Sequence, residues 1–264
     1  VARLCAVAWL CFTGLSPASA GPTTPIHAPL VPKADAALSE PFGWTTILIP
    51  ESPLATKWRT LERGIEADMK TITECREHPG ECASPEARQF NAIVDEATAH
   101  DGLARIGIIN RAINLAIRPQ SDWVLRGEED HWSSPLETLA GGAGDCEDYA
   151  IAKYVALRAA GIPTADLRLL IAYDSRAREQ HAVVAARFDG RWRLLDNRNL
   201  ALIEDTNANW YRPMYAIDSD GPRRFEFTNP APTILVTARA FGSSGNNKVN
   251  SASSISQDVT ANTI

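Results

Sequence analysis

A glycine-rich loop that runs into one cysteine and then into a long apolar segment constrains this sequence most. The loop and the cysteine occupy residues 141–146, and residues 149–160 are mostly apolar and contain neither proline nor glycine. Gly161 and Pro163 then close the segment as helices commonly end. We therefore predict that Cys146 begins a mostly buried helix, where free backbone N–H groups and the helix dipole favour a thiolate. The alternative is an ordinary core cysteine, because free cysteine is among the most buried residue types.

The N-terminal segment sets the expected compartment. Residues 1–20 have the apolar run and the Ala-Ser-Ala cleavage site of a secretory signal peptide, and the run is too short to cross a bilayer. We expect a periplasmic or secreted protein that does not span the membrane. In an oxidising compartment, Cys75 and Cys82 can pair as a disulfide because they flank a turn at residues 78–80. That pairing leaves Cys146 as a free thiol.

Composition divides the rest of the chain into three parts. Residues 21–53 carry seven prolines and form an extended lead-in, in which we expect a short strand at residues 44–49. Residues 54–228 form the main domain, and residues 229–264 form a low-complexity tail that we expect to be disordered. With 45% hydrophobic residues over its 264 residues, the chain can bury one good core. The net charge of -6 argues against a nucleic-acid partner.

Hydrophobic periodicity predicts helices first and strands afterwards. The predicted helices cover residues 54–75, 85–100 and 103–117, a short stretch after Ser134, and the segment that follows Cys146. The predicted strands cover residues 167–173, 182–188, 192–196 and 210–217. This order is typical of the α+β class, with a helical N-terminal region and the cysteine helix packed on an antiparallel sheet.

One predicted hairpin brings two polar residues together. Asp189 and Gly190 lie between two strand-like runs and indicate a two-residue turn. The resulting register sets Val183 opposite Asp196 and places His181 two residues further along, on the same face of the sheet. Val183, Ala185 and Leu194 share that face, so we expect the cysteine helix to pack against it.

These residues together can perform thiol chemistry. A nucleophilic cysteine needs a base that takes its proton, and the base needs an acceptor that fixes its orientation. Cys146, His181 and Asp196 can fill these three roles in that order. Taken singly, His181 is also explained as a structural histidine and Asp196 as a strand-end residue. His131, close to the cysteine in sequence, is the rival candidate for the base.

Three carboxylates surround the cysteine at Asp145, Glu147 and Asp148. Acidic residues in the first turn of a helix complement its dipole, and Asp145 is well placed to cap the helix. Three carboxylates in four positions can also bind a hard cation such as Ca²⁺, with backbone carbonyls and waters completing the shell. The residues alone leave both readings open.

Several motifs resemble one family. They are Trp132-x-x-Pro135-x-Glu137-x-Leu139, then Gly144-Asp145-Cys146-Glu147-Asp148, then His181 and Leu195-Asp196-Asn197, with Pro41-Phe42-Gly43-Trp44 further upstream. This pattern is similar to that of the bacterial transglutaminase-like cysteine proteinases, the family of the LapG-type periplasmic proteases. The resemblance extends from about Pro41 to Ile217 and does not include the tail.

The resemblance implies a papain/transglutaminase-like fold and a Cys146–His181–Asp196 triad that works through a thioester. It also implies calcium bound by Asp145, Glu147 and Asp148. Family members of this type clip a large surface adhesin, which controls biofilm attachment, and an inner-membrane cyclic-di-GMP receptor restrains them. Two alternatives remain open, namely a transglutaminase with the same triad and an inactive protein-binding module.

Overall fold

The computed structural model describes residues 40–226 of the chain. The predicted signal peptide, the first part of the proline-rich lead-in and the predicted tail lie outside these residues.

The helices begin where the sequence supplies capping residues. Ser52 and Ser84 each accept a hydrogen bond from a backbone N–H in the first turn of the following helix, and each is followed by a proline. The helices are α1 (Pro53–Glu77), α2 (Pro85–Thr98), α3 (Gly102–Ala116), α4 (Asp122–Arg126), α5 (Pro135–Gly141) and α6 (Cys146–Ala159).

The strands form one large antiparallel sheet and one small parallel pair. They are β1 (Thr45–Leu48), β2 (Arg118–Pro119), β3 (Ala143–Gly144), β4 (Leu167–Asp174), β5 (Glu179–Phe188), β6 (Arg191–Leu195), β7 (Ile203–Glu204), β8 (Tyr211–Asp218) and β9 (Gly221–Glu226). The seven-stranded sheet has the order β1-β9-β8-β4-β5-β6-β7, and β2 pairs with β3. Helices packed on an antiparallel sheet confirm the predicted α+β class.

Apolar side chains form a cluster on each face of the sheet. The larger cluster joins the helices to Ala182, Val184 and Leu195, so α6 packs against the face that carries these residues. The opposite face carries Val183, Ala185 and Leu194, which pack with Tyr211 and Trp192 in the second cluster. Our expectation that α6 packs on the face of Val183 was therefore wrong. The alternation of side chains was read correctly, but both faces of β5 are apolar, and sequence alone does not say which one the helix covers.

The lead-in is partly built into the sheet. β1 pairs with β9 from Thr45↔Glu226 to Leu48↔Arg223, so residues 45–48 of the lead-in belong to the large sheet. The short strand expected at residues 44–49 of the lead-in is confirmed by β1 (Thr45–Leu48), a length sufficient for an edge strand.

A disulfide joins Cys75 at the end of α1 to Cys82 ahead of α2, and Cys146 is free. Among residues 40–226, no helix combines the length and apolar character that a bilayer crossing requires.

Candidate active site

The start of α6 places Cys146 against the sheet. Asp145 adopts extended backbone angles as the residue before the helix, and Cys146 is the first helical residue. Gly144 passes so close to Asp148 that an added Cβ would lie 2.5 Å from its Oδ2 atom. This close approach therefore requires glycine at position 144.

The protein groups around Cys146 favour its protonated form. The thiol is half-buried and donates to Oε2 of Glu147, 3.1 Å away. Burial raises the pKa of the Cys146 thiol, and the Glu147 carboxylate raises it further, whereas a hydrogen bond from the backbone N–H of Ala182 lowers it. The helix N-terminus was expected to favour a thiolate, but burial and Glu147 outweigh it.

His181 and Asp196 form a buried pair. Nε2 of His181 lies 2.9 Å from Oδ1 of Asp196. Burial alone would raise the pKa of Asp196, but hydrogen bonds from His181, the N–H of Arg198 and Tyr211 hold it at about 2. Because Asp196 is an acceptor only, Nε2 carries the proton, which leaves Nδ1 as the basic nitrogen. Among the described residues, Nδ1 of His181 has no hydrogen-bond partner.

Tyr211 supports both members of this pair. Its hydroxyl donates to Oδ2 of Asp196 at 2.8 Å, and its ring stacks on that of His181 with centroids 5.9 Å apart. Burial and the charge of Asp196 raise the pKa of Tyr211, so the hydroxyl stays protonated and keeps donating. Sequence analysis missed Tyr211. Its only signal was its place at the start of a predicted strand.

We expect Tyr211→Phe to weaken the pair without abolishing it. The change leaves one oxygen of a buried carboxylate without its donor, which should cost about 1–3 kcal/mol of folding free energy. Because the hydroxyl lowers the pKa of Asp196, this loss should be complete at neutral pH and should vanish as the pH falls below the pKa of that carboxyl. Urea unfolding across pH measures it. Tyr154→Phe, a buried tyrosine outside this pair, is the control, and equal losses in both variants would contradict the role of the hydroxyl.

Cys146 and His181 open into one cavity of about 630 Å³. Ala182, Glu147 and Asp145 also line it, and apolar surface comes from Ile49, Leu54, Trp132, Ile171 and Tyr215. Trp132 therefore lies in the wall of the cleft, where Lys57 sits over its ring at 4.8 Å. A cleft of this size can hold several residues of an extended peptide.

His131, the rival candidate for the base, lies outside the cavity that holds Cys146. The two ring nitrogens of His131 are 3.1 Å from Glu128 and 3.3 Å from Glu137, and the cavity that holds Cys146 is not lined by His131. Of the two histidines that were candidates for the base, His181 is the one that lines the same cavity as Cys146.

Three aspartates converge beside the nucleophile. Asp122, Asp145 and Asp148 each offer a carboxylate oxygen, and these oxygens lie within 4.8 Å of one another. Asp148 accepts from the N–H of Ser133 at 2.9 Å, and Asp122 accepts from the N–H of His131. The structure thus adds Asp122 to the predicted set. It places Glu147 at the edge of the group, hydrogen-bonded to Asp145 and Cys146.

The parallel pairing of β2 with β3 explains why Asp122 was missed. Pro119 lies opposite Gly144, so the chain that follows β2 runs beside the start of α6. Asp122 and Asp145 are 23 residues apart in sequence, and two-residue strands carry no pattern that predicts their pairing.

The aspartate group suits a hard divalent cation. Among the described residues, Oδ1 of Asp122 and Oδ1 of Asp145 are buried and lack hydrogen-bond partners. Burial raises the pKa of Asp145 to about 8, with Glu147 and Asp122 adding to the effect, and burial raises that of Asp148 to about 6. Buried carboxylates that face one another with free oxygens are the donor set that Ca²⁺ prefers.

Comparison with known proteins agrees with this geometry. Residues 65–218, more than half of the chain, match the family model described as bacterial transglutaminase-like cysteine proteinase BTLCP. Calcium-bound LapG of Legionella pneumophila is similar in fold, with a TM-score of 0.51 and 20% identity over 62% of this chain and 92% of that one. Another structure of Legionella pneumophila LapG gives a TM-score of 0.49 and 21% identity over 60% and 87%. No curated protein matches the chain. The protein is a member of the bacterial transglutaminase-like cysteine proteinase family.

Proposed function

We propose that this protein is a periplasmic cysteine endopeptidase whose nucleophile is Cys146, whose base is His181 and whose orienting acceptor is Asp196. The observation that carries the proposal is the buried His181–Asp196 pair, in which Nδ1 of His181 has no hydrogen-bond partner among the described residues and His181 lines the same cavity as Cys146. Family membership supports the reaction class, and the predicted signal peptide supports the compartment.

The reaction follows from these positions. Nδ1 of His181 takes the proton of the Cys146 thiol as the sulfur attacks a peptide carbonyl. Backbone N–H groups at the start of α6, including that of Cys146, are placed to stabilise the oxyanion. The imidazolium then gives its proton to the leaving amine, which leaves a thioester on Cys146. Water, deprotonated by Nδ1, hydrolyses the thioester and releases the acid.

We further propose that the enzyme depends on calcium. Asp122, Asp145 and Asp148 would hold the ion, and Glu147 lies close enough to contribute. A bound cation would offset the negative charge around the Cys146 thiol and so favour its ionisation. The calcium-bound form of Legionella pneumophila LapG, which shares the fold, supports the choice of ion.

The proposed substrate is a protein, and resemblance to the LapG-type proteases suggests a large surface adhesin whose cleavage ends biofilm attachment. By the same resemblance, an inner-membrane cyclic-di-GMP receptor would restrain the enzyme. Both proposals depend on the family alone.

Product analysis separates peptidase from transglutaminase. The mature enzyme would be incubated with a library of proteome-derived peptides in excess Ca²⁺, with and without a primary amine, and the products mapped by mass spectrometry. We expect new peptide termini in both reactions. Amine attached to glutamine side chains without new termini would favour the transglutaminase. No covalent change in any peptide would favour a binding module.

A further inference from the structure

Two asparagines of α3 hold the chain that follows β6, residues 196–200, which we call the Asp196 turn. Nδ2 of Asn114 donates to the backbone carbonyl of Asp196 at 2.9 Å and to that of Asn199 at 3.2 Å. Nδ2 of Asn110 donates to the carbonyls of Asn199 and Leu200, both at 3.1 Å. Because the two asparagines are four residues apart in a helix, their side chains lie one turn apart on the same face. Three carbonyls of the Asp196 turn are therefore bound to one face of α3.

The shape of this turn sets the direction of the Asp196 carboxylate. Oδ1 of Asp196 accepts the backbone N–H of Arg198 at 2.9 Å, and the N–H of Asn199 donates to the backbone carbonyl of Asp196 at 3.3 Å. An aspartate that binds the N–H two residues further along forms an Asx turn, so its carboxylate follows the backbone of that turn. The same Oδ1 lies 2.9 Å from Nε2 of His181. A change in the shape of the turn would therefore displace the acceptor of His181.

Little else holds the Asp196 turn in place. Residues 198–201 are exposed, so apolar burial contributes little to their position. The guanidinium of Arg198 forms ion pairs with Asp174 and Glu179, but its side chain is 39% exposed, and exposed pairs of this kind contribute little. The amides of α3 are buried or half-buried, where hydrogen bonds are stronger than they are in water. These amides are therefore the main attachment of the turn to the helices.

The two asparagines are poor choices for the stability of the helix alone. Among residues 40–226, Oδ1 of Asn110 and Oδ1 of Asn114 are buried oxygens without a hydrogen-bond partner. A buried acceptor without a partner destabilises the fold, and asparagine is a weaker helix former than an apolar residue such as leucine. Residues that break local rules in this way are expected at functional sites.

We propose that Asn114 and Asn110 are positioning residues of the active site, which hold the Asp196 turn so that its carboxylate stays aligned with Nε2 of His181. The inference rests on the proposed function, which assigns His181 and Asp196 as base and acceptor. A positioning role differs from a structural one in what it changes. The described residues that line the cavity include His181 but neither asparagine, so loss of Asn114 should slow the chemical step and leave peptide binding intact.

The first test compares Asn114→Ala with the wild type, using the mature chain in excess Ca²⁺ and one peptide that the library assay shows to be cleaved. We expect kcat to fall by about tenfold to a hundredfold, because a small displacement of a catalytic group has effects of this size. KM should stay within about a factor of two. In an Asp196→Ala background, Asn114→Ala should lower kcat by less than about twofold further, because no carboxylate is left to align.

Asn91 in α2 provides the matched control. It is a buried asparagine whose Nδ2 donates to the backbone carbonyl of Ile72 at 3.0 Å. Asn91→Ala removes the same kind of hydrogen bond and should lower the melting temperature as Asn114→Ala does, while kcat stays at the wild-type value. If Asn114→Ala does not fold, Asn114→Leu, which fills the same space, is measured in its place.

The second test needs no substrate. The Nε2 proton of His181, hydrogen-bonded to Asp196, should give a downfield proton NMR resonance that is absent from His181→Ala. Asn114→Ala should shift or broaden this resonance because the acceptor is no longer held in line. Asn91→Ala should leave the resonance where it is in the wild type.

The outcomes separate this inference from the proposed function. Wild-type kcat in Asn114→Ala overturns the inference, and so does an equal loss in Asn91→Ala or an undiminished further loss in the Asp196→Ala background. A wild type that cleaves no peptide contradicts the proposed function, and the resonance then decides the inference by itself. An unchanged resonance in Asn114→Ala means that the asparagines do not align the pair.

Discussion

Cys146→Ala is expected to lower peptidase activity by about four orders of magnitude or more. The sulfur is the proposed nucleophile, and no other thiol among residues 40–226 can replace it because Cys75 and Cys82 are joined to each other. The assay is cleavage of the peptide library in excess Ca²⁺, read as new termini per unit time. Thermal unfolding should change little, since the alanine removes only a half-buried sulfur.

Variants of the other two residues refine this prediction. His181→Ala should be nearly as inactive, and the double variant should be no worse, because members of a triad act as a unit. Asp196→Asn should lose less, since an amide oxygen can still accept from Nε2 of His181 while its nitrogen faces the Tyr211 hydroxyl. Activity at the wild-type level in Cys146→Ala would exclude this mechanism altogether.

Chelation of calcium is expected to lower activity by at least about a hundredfold. A divalent cation within several ångströms of a thiol shifts its ionisation by two or more pH units at an effective dielectric of about 20. Without it, burial and Glu147 hold the pKa of Cys146 well above its usual range. Asp122→Asn and Asp145→Asn should reproduce the effect at calcium concentrations that saturate the wild type. Activity and calcium binding, by calorimetry, are measured together.

A matched acid outside the group serves as the control for calcium. Glu128 belongs to the same segment as Asp122 but is exposed and pairs with His131. Glu128→Gln should bind calcium and cleave peptides as the wild type does. Full activity in a chelator, or equal losses in Glu128→Gln and Asp122→Asn, would mean that the aspartates do not form a functional metal site.

The same aspartates predict how the stability of the fold depends on pH and on calcium. Burial raises the pKa of Asp145 to about 8 and of Asp148 to about 6, both from an ordinary value of 3.8. Between about pH 4 and about pH 8, the folded chain still holds protons that the unfolded chain has released. The free energy of unfolding without calcium should therefore decrease as the pH rises through this range. Calcium binds the folded state and should raise the melting temperature most at the upper end of this range.

Local patterns predicted most elements of the fold. The capped starts of α1 and α2, the glycine run before α6 and the two-residue turn at Asp189–Gly190 are all encoded in neighbouring residues, and the observed pairing of Phe188 with Arg191 keeps the expected register. The missed elements are short or depend on distant partners. β9 was not predicted, although the short strand that it pairs with, β1, was expected from the sequence.

The residues of the candidate site also fall into two groups, those that local sequence predicted and those that it did not. Cys146, His181 and Asp196 could be chosen from sequence because each role demands a residue type and the hairpin fixes the register of two of them. Asp122 and Tyr211 could not, because their importance comes from pairing and stacking between distant segments.

The two-residue pairing of β2 with β3 bears on what happens when another protease cuts this enzyme. The exposed stretch from 123 to 130 is a natural place for another protease to cut. A cut there would leave Asp122 on one fragment and Asp145 on the other, with the short parallel pair still joining them. Calcium would then bridge two chains that the common core and the β1–β9 pairing also hold together, so a nicked enzyme should stay assembled and keep working in calcium.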